Sequence, residues 1–119
     1  MLETHVQSPL FINSPREDAE PAGPGIHRKI LGYDNTLMLV KVWFDEGAVG
    51  EVHAHPHTQT AYVVEGKFEV MVDGKTEILE AGSCFFVPSG ANHGAVCLEA
   101  GILLDIFSPA RMDFLGEDA

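Results

Sequence analysis

A chain of 119 residues with 45% apolar side chains is long enough for one domain around a single core, and a second domain would leave too little to bury in either. Its formal net charge of −11, with seven Lys and Arg against eighteen Asp and Glu, argues against nucleic acid and anionic membranes as partners, because phosphate binding needs cations. No stretch approaches the ~20 apolar residues that span a bilayer, and segment 1–9 has neither the basic nor the apolar run of a signal peptide, so a soluble, cytoplasmic protein is expected. The same acidity sets a condition on function. An anionic substrate is repelled by the bulk field, so a local cation must capture it.

In chain order, residues 1–25 read as an N-terminal arm. Its 14–25 stretch is rich in turn formers (Pro15, Pro21, Gly23, Pro24, Gly25). From residue 26 to 119 the pattern becomes short runs rich in Val, Ile, Phe and Tyr, separated by turn residues. Strands are expected at 26–31, 36–44, 50–55, 60–65, 67–72, 76–79, 83–87, 91–98 and 102–107. Asp73-Gly74 signals a type I′ hairpin, and Glu65-Gly66-Lys67 and Glu80-Ala81-Gly82 are read as further reversals. No segment shows helical periodicity, and one turn is expected at 110–115. This is an all-β barrel or sandwich. Cys84 and Cys97 are too few for a disulfide framework and sit in apolar runs, so buried free thiols are expected. Cys97 as a metal ligand is the sharper alternative.

Four of the six histidines are His53, His55, His57 and His93. Strand alternation points His53 and His55 the same way, and Pro56 holds His55 extended while ending the strand. Gln59, Ala61 and Val63 then share one face of the next strand. Two imidazoles and an amide can therefore converge inside a barrel, with His93 arriving from a distant strand to complete a site for one divalent metal. His57 is read as a rim residue pointing outward.

The segments Gly47-x5-His53-x-His55-x3-Gln59-x6-Gly66 and Gly82-x5-Pro88-x-Gly90-x2-His93 resemble the two motifs of the cupin family. The resemblance implies a jelly-roll β-barrel (a double-stranded β-helix), usually dimeric, with a metal inside it. Two positions depart from the usual pattern: Gln59 stands for Glu, and Cys97 for Asn. A neutral amide leaves the full divalent charge on the site, which favours Lewis acidity over an oxidised metal.

A second constellation lies at the C-terminal end. Leu103, Asp105 and Phe107 share one face by alternation, and Asp105 interrupts an apolar run, which is costly unless the carboxylate is hydrogen-bonded or functional. Burial would raise its pKa toward a useful range. Arg111, just past the strand, could clamp a carboxylate. Taken singly, each has a plain reading: Asp105 facing out, Phe107 as ordinary core, Arg111 paired with Asp113 or Glu117.

Gln59 together with Asp105-x-Phe107-Ser108-Pro109-x-Arg111-x-Asp113-Phe114 resembles the uronate-linearising cupins of pectin and alginate breakdown. That resemblance implies metal ligands His53, His55, Gln59 and His93 and active-site residues Asp105, Phe107 and Arg111. It also implies isomerisation of 4,5-unsaturated monouronates to linear keto-deoxyuronates. The expected cofactor is one divalent transition metal (nickel, zinc, iron, cobalt or manganese), the expected partner a small anionic sugar acid, and the expected assembly a homodimer. The rivals are a cupin dioxygenase, which Gln59 disfavours, and a non-catalytic sugar-acid-binding cupin.

Overall fold

The computed structural model describes residues 5–116; residues 1–4 of the arm and 117–119 of the barrel segment, Glu117 among them, lie outside that range. Eight strands run in chain order: β1 (Glu20–Gly23), β2 (Ile26–Asp34), β3 (Leu37–Phe44), β4 (Val49–His53), β5 (Thr58–Val72), β6 (Lys75–Glu80), β7 (Cys84–Val87) and β8 (His93–Ser108). The only helical pieces among the described residues are short 3-10 turns at Arg16–Asp18 and Met112–Leu115. All strand pairs are antiparallel, in the order β1-β2-β3-β8-β5-β6, with β4 added to β8 and β7 to β5.

The alternation of β3 shows how the sequence builds the core. Met38, Val40, Val42 and Phe44 are buried while their neighbours are not, as a period of two requires. They meet Val63, Phe68 and Val70 of β5 and Cys97, Leu103 and Phe107 of β8. Phe44 and Phe68 pack edge to face at 5.1 Å, and burying a side chain such as Phe68 contributes about 1.5–3 kcal/mol.

The barrel closes through two long strands where the sequence suggested four short ones. Segments 60–65 and 67–72 are one strand, β5, and segments 91–98 and 102–107 are one strand, β8. Gly66 is therefore not a reversal. It has φ +90° and sits among the register shifts where β5 bends past β8. A Cβ on Gly66 would lie 2.5 Å from the Gly101 Cα, and one on Gly101 would collide with the Glu65 carbonyl oxygen. Two backbones come closer here than any side chain allows, which single-strand periodicity does not reveal. On one side of this corner β8 pairs with β4 and the end of β5; on the other it pairs with β3 and the start of β5.

Two further differences concern exposed segments. Within the 14–25 stretch, Glu20–Gly23 forms β1, pairing Glu20 with Arg28 and Gly23 with Ile26. Earlier in the arm, Ser8 exchanges hydrogen bonds with Tyr33: its N–H donates to the Tyr33 carbonyl at 2.9 Å, and its Oγ accepts from the Tyr33 N–H at 3.0 Å. Cys84, expected to be buried, is exposed, because its side of β7 faces out, whereas Cys97 is buried. Cys97 Sγ donates to the Glu99 carbonyl at 3.1 Å and belongs to the core around Phe44 rather than to the histidines.

Candidate metal centre

β4 ends at His53, so His55 reaches the site from the connecting segment rather than from the strand. The turn after Pro88 supplies the other side. Ala91 N–H donates to the Pro88 carbonyl at 3.0 Å, with Gly90 at φ +80°, a value cheap for glycine alone. The Gly90 N–H also donates to the His55 carbonyl at 2.9 Å, tying the turn before His93 to the segment carrying His55. His53 and His93 are opposed in the β4–β8 register. The three rings converge, with centroids 5.5 Å apart for His53–His55, 4.3 Å for His53–His93 and 4.7 Å for His55–His93. One nitrogen from each lies within 4.8 Å of the others.

Each imidazole is aimed by the backbone. Nδ1 of His53 lies 2.8 Å from the Glu51 carbonyl, Nδ1 of His55 3.0 Å from the His57 carbonyl, and Nδ1 of His93 3.0 Å from the Ala91 carbonyl. Carbonyls only accept, so the Nδ1 atoms carry the protons and the Nε2 lone pairs point toward a common point. His93 Nε2 is buried without a hydrogen-bond partner. His55 Nε2 lies 3.0 Å from Gln59 Oε1, and Gln59 Nε2 donates to Asp105 Oδ1 at 3.3 Å. With its NH2 turned to the carboxylate, Gln59 presents an oxygen lone pair to a nitrogen lone pair. Such a contact needs a positive species beside it, either a proton or a metal. Burial lowers the pKa of His55 and of His93, which disfavours the proton. Three imidazoles placed to hold a metal ion, one with an orphaned lone pair, fit a divalent cation.

Opposite the histidines is a wall of different chemistry. His53, Gln59, His93, Asp105, Phe107 and Arg111 line one cavity of about 600 Å³, together with Arg28 and Phe114. Asp105 lies opposite Ala61 of β5 and Val40 of β3. Burial pushes its carboxyl up to about 7, against the opposing pulls of the Gln59 amide and the Arg111 charge. Arg111 sits 5.1 Å over Phe107 and 4.2 Å over Phe114, and its fork grips Asp113 through Nε–Oδ1 at 3.0 Å and Nη2–Oδ2 at 2.9 Å. That ion pair was the plain alternative for Arg111, and it coexists with a place on the cavity wall. His57 is half-buried rather than outward, its ring 6.5 Å from Phe107. Arg28 escaped the sequence reading. The signal was present in Ile26-x-Arg28-x-Ile30, where one charge interrupts an alternating apolar face, as Asp105 does in β8.

An antiparallel β-barrel with three converging imidazoles at these motif positions defines a class. The family model described as "Cupin domain" matches residues 40–107, and the chain belongs to the cupin family. Among characterised relatives it is 46% identical over 98 residues to the pectin degradation protein KdgF of Dickeya dadantii, spanning 81% of this chain and 89% of that protein. The solved structure of KdgF from Halomonas sp. superimposes with a TM-score of 0.80 at 42% identity, covering 84% of this chain and 96% of that one. An RmlC-like cupin from Shewanella frigidimarina superimposes with a TM-score of 0.85 at 55% identity, covering 91% of this chain and 97% of that one.

Proposed function

We propose that the protein is a metal-dependent isomerase that opens 4,5-unsaturated monouronates to linear keto-deoxyuronates, a role in pectin or alginate breakdown in line with its similarity to KdgF. The observation that carries this reading is the Gln59 bridge. One amide offers its oxygen to the histidine cluster and its NH2 to Asp105, so a cation site and a titrating carboxyl share one cavity. His53, His55, His93 and Gln59 hold the metal, which supplies Lewis acidity toward substrate oxygens when bound.

The remaining steps belong to the chain's own side chains. Asp105, with a pKa near neutrality, accepts the proton of the anomeric hydroxyl as the C1–O5 bond breaks. The C1 aldehyde forms, and the electron pair of that bond passes to O5 as an enolate. Asp105 then returns the proton to C4 as the enolate becomes the C5 ketone, so the net change is an isomerisation with no co-reactant. Arg111 holds the carboxylate of the sugar. Phe107 forms an apolar wall that keeps water from the carboxyl, its ring 5.8 Å from that of His55.

The test is Asp105→Asn. Its rate with 4,5-unsaturated galacturonate should fall about 10²–10⁴-fold, the usual worth of a positioned acid–base group, while metal content stays at the wild-type level. A variant turning over at the wild-type rate removes the proton-transfer role.

A further inference from the structure

The cavity contains two guanidinium groups, and only one of them has a carboxylate partner. Arg111 is committed to Asp113 through two hydrogen bonds, so their charges cancel locally. Arg28, on β2, lines the same cavity, and its side chain makes no hydrogen bond or ion pair among the described residues. Its contact is with the face of Phe114, 3.7 Å from the ring centroid. The acids nearest in effect are Glu20, its cross-strand partner on β1, and Asp113, already engaged by Arg111. Burial and the neighbouring Arg111 both disfavour the charge on Arg28.

A half-desolvated guanidinium without an acceptor is costly in the apo protein and is well prepared to receive an anion. Phe114 stacks with both Arg28 and Arg111, which fixes the plane of each fork before any ligand arrives. In a chain of net charge −11, the Arg28 charge adds to that of the cation site in drawing an anionic sugar into the cavity.

We propose that Arg28 is a substrate-binding residue that takes the carboxylate of a sugar acid beside Arg111 and sets the preference for uronates over neutral sugars. The inference rests on the reading that the cavity accepts a sugar acid. It adds to that reading a second guanidinium, one that needs no rearrangement to bind.

The experiment is titration of the metal-loaded protein with D-galacturonate and with D-galactose, followed by NMR. Wild type, Arg28→Gln and Arg28→Lys are compared, and a thermal melt checks each fold. Wild type should bind galacturonate at least about tenfold more tightly than galactose, a gap of about 1.4 kcal/mol. Arg28→Gln should lose most of that gap, and Arg28→Lys should keep part of it, since an ammonium retains the charge without the fork. Unchanged galacturonate binding in both Arg28 variants overturns the proposal, as does a wild type that does not discriminate between the two sugars. Discrimination that depends on Arg28, in a protein that fails to isomerise unsaturated uronate, leaves the Arg28 assignment standing and removes the reaction. Isomerisation whose KM is unaffected in the Arg28 variants does the reverse.

Discussion

The two walls of the cavity are built by different means. On the histidine wall each imidazole is pinned by a carbonyl two residues away in sequence: Glu51 for His53, His57 for His55, Ala91 for His93. On the facing wall Asp105 and Arg28 are placed by side chains from distant segments, Gln59 and Phe114, while Arg111 is held by the nearby Asp113. The first wall is coded locally and rigidly, as metal coordination demands. The second depends on strand pairing and stacking, and it can vary between substrates without disturbing the first. Gln59 joins the two through the two ends of its amide, and the Phe107 ring also meets both.

The largest expected effect comes from breaking the histidine wall. His93→Ala should lower metal affinity at least about 100-fold, read by elemental analysis after competition with a chelator. Asp105→Asn treated identically should retain its metal. Equal losses in the two variants would mean the walls are not separable.

The corner joining the walls comes next. Gly101 lies between His93 and Asp105 on β8, and a Cβ there has no room against the Glu65 carbonyl. Gly101→Ala should therefore cost about 1–3 kcal/mol, measured by urea denaturation, with metal affinity falling in step as His93 shifts. Full stability would show that β5 and β8 approach less closely than described.

A pH slope in the metal-stripped protein probes the carboxyl of the second wall. Asp105 holds its proton up to about 7 when folded, whereas an unfolded Asp releases it near 4. Between those values the folded state binds more protons, so this group makes stability fall as pH rises. Asp105→Asn should remove that component, seen as a urea midpoint that rises more steeply between about pH 4 and 7, because the lowered imidazole pKa values of His55, His57 and His93 contribute the opposite slope. Parallel curves would show that the carboxyl is solvated rather than held in the apolar wall.

The same contrast explains what could be read in advance. His-x-His-Pro, the Pro88-Ser89-Gly90 turn and the Gln59-x-Ala61-x-Val63 alternation are local patterns, and local geometry realises each of them. Asp105 announced itself as a lone charge in an apolar strand. Arg28 carried the same signal but has no neighbour in sequence to give it meaning, since Phe114 lies at the far end of the chain. Gly66 looked like a turn because a positive φ suits turns and bulges alike. Only the crossing of β8 decides between them. Cys84 looked buried because an alternating run does not declare which face turns inward when both carry apolar side chains.

The central claim is that one cavity joins a metal to a proton-transferring carboxyl for uronate isomerisation. Its most direct test is an NMR time course of 4,5-unsaturated galacturonate with metal-loaded protein, with chelated protein, and with the chelated protein after metal is restored. The account predicts rapid appearance of the linear keto sugar, a fall to the spontaneous rate on chelation, and recovery on reloading. Metal-loaded protein that leaves the spontaneous rate unchanged would contradict it.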